Sequence, residues 1–360
     1  MTKFAFIIHP LELSDIYRKY GWLRWFPKGL VERIIPKMKP KVVSHITGIK
    51  SATGATTEGW FIGCPLTSKM LVGPDQDTVL KVLVECCRLA EEVGAKVIGL
   101  GAFTSVAGDG GLTLRENVNI EVTTGNSYTV ETAIEGALEA ARLLEIDVAH
   151  ATLGVVGATG SIGRVCAEVL APKFCSTILI GRDLPRTQEL AAQLPRATAS
   201  NNPSDLRNAD VVITVTSAAE AVILPEHLKP GSVICDVARP RDVSVRVVKE
   251  RDDVLVIEGG VVAIPGDVEF NFNFGFPEKT AYACMSETML LALEDRPCSF
   301  TLGKEVSVEQ VLEMKRLADK HGFHIAGFRS FERAVDTATI ERVKKARQVQ
   351  PSPSVAASQP

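Results

Sequence analysis

The chain has 360 residues, 46% hydrophobic and 23% charged, with a formal net charge of -3. That length predicts more than one domain and a sizeable core, and the near-neutral balance excludes a nucleic-acid binder working through bulk charge. No stretch approaches the ~20 apolar residues of a membrane span, and the apolar run at 4–8 is too short for a secretory signal.

In chain order, residues 3–8 read as a strand. Residues 1–50 carry ten Lys or Arg against three acids. Within them, residues 20–41 mix Trp22, Trp25 and Phe26 with Arg24, Lys28, Arg33, Lys37, Lys39 and Lys41. Such a segment suits an anionic membrane or an acidic protein. The alternative is that the aromatics pack in the core and the lysines solvate its face. A helical apolar period marks 74–94, a short apolar run marks a buried strand at 96–102, and a second helix covers 128–145, with Asn126 or Ser127 placed to cap it.

A second βα series begins near 152, with strands expected at 153–157, 177–181, 210–217, 232–238 and 254–262 and helices at 161–172 and 185–194. Apolar strands alternating with helices imply a parallel sheet covered on both faces. Helix returns at 278–294 and 307–320. The expected fold is α/β. Residues 1–148 form an α/β substrate domain, 149–270 a Rossmann NADP-binding domain, and 271–345 a helical segment packing back between them. The Pro-, Ser- and Gln-rich tail at 346–360 is expected to be disordered.

The cofactor loop follows the first strand of that series. Gly157, Gly160 and Gly163 frame Ala158, Thr159, Ser161 and Ile162 between a strand and a helix. Glycines allow a tight turn and close approach of phosphates, and the helix N-terminus supplies free N–H groups to a pyrophosphate. The spacing is GxxGxxG rather than GxGxxG, so the strand–loop–helix context carries the assignment. The next strand ends in Arg182 and Asp183. An Arg there accommodates the 2′-phosphate of NADP, and an acid would hold the ribose of NAD; Arg182 comes first, so NADPH is expected. Thr216, Ser217 and Gly260 lie at carboxyl strand ends, where such sheets bind ligands.

None of the eight cysteines falls in a CxxC or Cys/His spacing. No metal site or disulfide framework is expected, and a reducing, cytoplasmic setting is. Cys284 stands out as a candidate nucleophile. With a helix beginning near Pro277 it would lie in the second turn, on an inward face, and a buried structural cysteine is the competing reading. Glu287, one turn later, either tunes it or only bonds a neighbour.

The chain resembles the cyanobacterial long-chain acyl-acyl-carrier-protein reductases, which form fatty aldehydes. The matching segments include Ser51-Ala-Thr-Gly54, Leu100-Gly-Ala-Phe-Thr-Ser105, Thr123-Thr-Gly-Asn126, Val155-Val-Gly-Ala-Thr-Gly160, Gly259-Gly-Val-Val262, Ala283-Cys-Met-Ser-Glu287 and Lys320-His-Gly-Phe323. The resemblance implies that Cys284 attacks an acyl thioester, on acyl-carrier protein or coenzyme A, and that NADPH is the reductant. Residues 20–41 and the tail past 325 depart from the family pattern. The intermediates of such a reaction need oxyanion donors; Thr104, Ser105 and Asn126 are candidates, and His9 is a candidate general acid. Peripheral membrane contact is a further expectation. Two other readings compete: an alcohol–ketone oxidoreductase like shikimate dehydrogenase, whose Lys is missing after the Asn117-Val118-Asn119 segment, and a non-catalytic NADP-binding sensor.

Overall fold

The computed structural model describes residues 1–216, 218, 220–238, 241–303, 305–331 and 333–348. Two compact units emerge, the first from Met1–Glu131 and Val261–Ala326, the second from Thr132–Gly260 and the described residues from Gly327 onward.

The first unit opens on β1 (Phe4–Ile8), an apolar run buried over most of its length. Short helices α1 (Leu13–Lys19) and α2 (Lys28–Ile34) precede a hairpin of β2 (Lys41–Lys50) and β3 (Thr56–Gly63). After the single turn α3 (Ser68–Leu71) comes α4 (Gln76–Glu92), capped by the Asp75 carboxylate on Thr78 N. It buries Val79, Val82, Leu83, Cys86, Cys87 and Ala90 at helical spacing, as the sequence period requires. Then follow β4 (Val97–Leu100), α5 (Leu112–Glu116), β5 (Glu121–Thr123) and the first turns of α6 (Asn126–Leu143), which from Thr132 belongs to the second unit.

The second unit contains six parallel strands: β6 (Thr152–Val156), β7 (Ser176–Ile180), β8 (Ala197–Ser200), β9 (Val211–Thr214), β10 (Val233–Asp236) and β11 (Leu255–Glu258). Their spatial order is β11-β10-β9-β6-β7-β8, the doubly wound Rossmann order with its switch point between β6 and β9. Helices α7 (Ser161–Leu170), α8 (Leu184–Gln193) and α9 (Val245–Glu250) join the strands.

The single strand expected at 254–262 is broken. Gly260 takes φ +84, a left-handed turn only glycine adopts cheaply. Beyond it, β12 (Val261–Ala263) joins the first unit, followed by β13 (Gly266–Glu269) and β14 (Thr280–Tyr282). The first unit's sheet is therefore β13-β2-β3-β1-β4-β5, with β3, β1, β4 and β5 mutually parallel. Residues 271–345, expected as one helical segment, are divided between the units. The last helix among the described residues, Thr337–Gln348, reaches into the stretch expected to be disordered from 346; residues 349–360 lie outside the described residues.

Helix α10 (Ala283–Leu293) crosses the first unit's sheet, and α11 (Val308–His321) packs beside it. Cys284 lies at Gly125, just past β5. Thr288 lies at Gly99 in β4, and Asp295 binds Thr2 ahead of β1. The helix thus runs from the carboxyl edge of the strands to their amino edge. Gly99 makes this possible, because a Cβ there would collide with Thr288 Oγ1 and the Phe6 ring. Gly99→Ala should lower stability by about 1–3 kcal/mol through overpacking, read as a lower urea midpoint. Gly29→Ala, where no atom lies within 4 Å, should stay within about 1 kcal/mol of the parent.

Candidate functional site

Helix α10 begins later than its sequence pattern suggests. Residues 280–282 pair antiparallel with β12, Thr280 with Ala263 and Tyr282 with Val261. Lys279 takes φ +56, which a helix cannot continue through. The helix therefore starts at Ala283, and Cys284 sits in the first turn rather than the second. Every residue of α10 is buried except Cys284. A helix buried all round belongs in a core; this one is only half-buried at Cys284.

Gly125 lies directly against this cysteine. It has φ +76, and a Cβ on it would overlap Cys284 Cα and Cβ. Gly125 is also the residue before α6, whose first turn follows at Asn126. Two helix N-termini thus meet at Cys284, each with N–H groups unpaired within its own helix. Burial pushes the Cys284 thiol up to about 12, helped by the nearby Glu287 charge and opposed by the backbone of Met285 and Cys284.

Glu287 is fully buried and organises the loop. Its carboxylate accepts hydrogen bonds from Thr123 Oγ1 at 2.5 Å, Thr301 Oγ1 at 2.9 Å and Tyr128 N at 2.9 Å. Tyr128 N belongs to the first turn of α6, so Glu287 caps that helix from across the fold. Ser127 Oγ bonds Thr301 Oγ1 at 2.7 Å, and Thr301 N donates to Thr123 Oγ1 at 3.1 Å. Burial raises the Glu287 pKa, while Thr123, Tyr128, Thr301 and the backbone of Gly125 hold it down. The reading that Glu287 only bonds a neighbour is too narrow, since it carries the loop that lies on Cys284.

The oxyanion candidates divide. Asn126 is half-buried and adjoins Gly125 at the start of α6. Thr104 Oγ1 donates to Gly101 O at 2.8 Å and Ser105 Oγ to Ala102 O at 2.6 Å, so both hydroxyl protons are committed within their own turn. Thr124, not singled out from sequence, has a buried hydroxyl without a partner among the described residues. Such a group calls for an explanation, and its position inside the Thr123-Thr-Gly-Asn126 segment was the available signal. His9 bonds Pro10 O at 3.0 Å through Nδ1 and accepts from Phe103 N at 3.3 Å through Nε2. Burial lowers its pKa, and both nitrogens are occupied in the neutral ring.

A second polar chain holds the far end of α10. Ser51 Oγ lies 2.8 Å from His321 Nδ1, and His321 Nε2 lies 2.6 Å from Glu294 Oε1. The order is that of nucleophile, base and acid. Yet Ser51 and His321 are 4% and 1% exposed, and Thr53 N donates into Ser51 Oγ at 3.0 Å, so no carbonyl can approach. The two segments Ser51-Ala-Thr-Gly54 and Lys320-His-Gly-Phe323 meet here as a fastening.

In the second unit the glycine loop is built as its spacing implies. Gly157 has φ +79, and a Cβ would lie 3.0 Å from Val215 O. A Cβ on Gly163 would overlap Gly157 O, so only glycine lets α7 approach β6. Gly160 is the exposed N-cap of α7 and has no side-chain cap; the N–H groups of Ser161 and Ile162 follow it, with Thr159 half-buried beside them. Arg182 is exposed beyond β7, whereas Asp183 caps α8 by accepting from Arg186 N at 3.1 Å. Thr216 donates from Oγ1 to Asp242 and from N to Asp242 Oδ2 at 2.8 Å, so its hydroxyl shapes the loop after β9. Ser217 lies outside the described residues. Asp242 and Asp236, both buried, were missed; Asp236 accepts from Ala238 N and Val243 N. An acid closing the apolar strand SVICD was the signal. Glu258 pairs with Arg241 at 2.9 Å.

Residues 139–258 match the family model described as Shikimate / quinate 5-dehydrogenase. The chain is 31% identical over 371 residues to the aminotransferase PigE of Serratia sp., covering 95% of this chain but 42% of that protein's length. It is 28% identical over 327 residues to the long-chain acyl-[acyl-carrier-protein] reductase of Synechococcus elongatus, covering 87% of this chain and 94% of that one. A glutamyl-tRNA reductase of Gloeothece citriformis is 27% identical over 173 residues, 44% of this chain and 39% of its own. These similarities support a reductase role. No helix among the described residues is long and apolar enough to cross a membrane.

Two outcomes test the site geometry. Glu287→Ala should cost about 3–5 kcal/mol by stranding buried donors. Glu287→Gln should cost clearly less in the same denaturant titration, because its carbonyl can still face Tyr128 N while the threonine hydroxyls reorient. With its pKa near 12, the Cys284 thiolate grows about tenfold per pH unit, so iodoacetamide alkylation of Cys284 should climb from neutral to alkaline pH without a plateau.

Proposed function

We propose that this protein reduces a fatty acyl thioester, carried on acyl-carrier protein or coenzyme A, to the fatty aldehyde with NADPH through an acyl-enzyme on Cys284. The observation that carries this reading is one half-buried cysteine, Cys284, at the first turn of an otherwise buried helix and under the N-terminus of a second. The Synechococcus elongatus reductase, matched over 94% of its length, supports the same chemistry. The chain spans less than half the length of PigE. The shikimate / quinate match lies within 139–258, in the nucleotide-binding half of the fold, and leaves the choice of reaction to the first unit.

The chain's residues fit a dinucleotide. Gly157, Thr159, Gly160, Ser161, Ile162 and Gly163 form a turn without side-chain obstruction at the N-terminus of α7, where backbone N–H groups would take the pyrophosphate. Arg182 would pair with the 2′-phosphate, and Asp183 spends one carboxylate oxygen on capping α8. Gly260 needs glycine for its own backbone. NADPH, when bound, supplies the hydride.

Cys284 holds its proton at neutral pH. The sulfur attacks the thioester carbonyl as that proton leaves, and the carrier thiolate departs and takes it up. The developing oxyanion would be met by the first-turn N–H groups of α6 and α10, by Asn126 and by the free hydroxyl of Thr124. Glu287 acts as a positioning residue by holding Gly125 and Tyr128.

Incubation with a fatty acyl thioester in the absence of NADPH should add one acyl mass, mapped to Cys284. Cys284→Ala should show no such mass and bind NADPH as the parent does; aldehyde formation by that variant would overturn the mechanism, and cofactor binding without any acylation of the parent would favour a sensor. Arg182→Ala should weaken NADPH binding about tenfold or more while sparing NADH.

A further inference from the structure

Within residues 20–41, Leu23, Val31 and Ile35 are buried in the first unit's core, and Tyr20 and Met38 pack against it. The aromatics between them are not part of that core. Trp25 is 88% exposed, Trp22 58%, and Phe26 and Leu30 about 41–42%; Trp22 and Phe26 meet edge to face with ring centroids 5.8 Å apart. The alternative that the aromatics pack inside fails because the 3-10 turn Gly21–Trp25 commits its single inward position to Leu23.

The surroundings are cationic. Arg24, Lys28, Arg33, Lys37 and Lys39 have no carboxylate partner among the described residues, and Glu32 is the segment's one acid. Lys41 lies against the Tyr20 ring. Exposed apolar surface of this kind marks an interaction site. Its composition chooses between partners. Protein interfaces are depleted in Lys, whereas indole rings interleaved with lysines suit a lipid interface, where the ring sits at headgroup depth and the ammonium groups face anionic lipid.

We infer that residues 20–39 dock the protein on an anionic membrane surface, Trp22, Trp25 and Phe26 entering the interface and the cations pairing with lipid phosphates and carboxylates. Each cation contributes roughly fivefold in affinity at low salt, so the contact is reversible and weakens as salt rises.

The test uses the full chain and needs neither substrate nor NADPH, so its failure is separate from any failure of the acyl chemistry. The protein should sediment with phosphatidylcholine vesicles containing about a third phosphatidylserine and far less with pure phosphatidylcholine. The tryptophan emission of the native chain should shift blue on the former. Trp22→Ala/Trp25→Ala/Phe26→Ala and Arg24→Glu/Lys28→Glu/Arg33→Glu should each weaken sedimentation by tenfold or more, with an unchanged urea midpoint. The inference is overturned by no binding to the anionic vesicles, by undiminished binding by either triple variant, or by capture of a purified acidic carrier protein through these residues while vesicles are ignored. A concentration-dependent dimer that buries the tryptophans in the absence of lipid also overturns it.

Discussion

A carboxylate buried in the middle of the first unit is the constraint on which the rest of the site depends. Taking Glu287 out of water costs several kcal/mol, and the cost is offset by neutral donors rather than by a cation. Thr123 and Thr301 hydroxyls and the Tyr128 N–H converge on it from two separate stretches of chain, 123–128 and 301. Because an unsatisfied donor in this position would be expensive, these stretches and α10 are held in one arrangement. That arrangement brings Gly125 onto Cys284 and starts α6 beside the thiol.

Helix α10 turns this local network into a rigid support. Its residues are buried on all sides beyond Cys284, Gly99 lets it lie close on β4, and its far end is fastened through Glu294, His321 and Ser51. A reactive group on a fully packed helix is held more precisely than one on a loop. The cysteine's high pKa is the other side of the same packing, because the desolvation that fixes the sulfur also disfavours its charge.

The second unit uses the same device. Asp236 and Asp242 lie at the carboxyl edge of the sheet and accept backbone N–H and hydroxyl donors from the loops that follow β9 and β10. Buried acids satisfied by backbone groups shape the edge at which a Rossmann sheet binds its ligand. Gly157 and Gly163 then set how closely α7 approaches β6.

The sequence by itself determined the alternation of strands and helices, the glycine loop and Arg182 at the end of β7, because each depends on local spacing or on one backbone's steric needs. It also exposed the basic, aromatic composition of residues 20–41. Only the tertiary structure decided where 254–262 breaks, since Gly260 reads as part of an apolar run until Val261 and Val262 are seen pairing with Tyr282 and Ala281. The same pairing moved the start of α10 and placed Cys284 in its first turn. Thr104 and Ser105 turned out to bond inside their own turn, and Glu287 acquired its role from partners up to 164 residues away. Periodicity reports which positions share a face; burial and hydrogen-bond partners depend on contacts between distant segments, which no local pattern encodes.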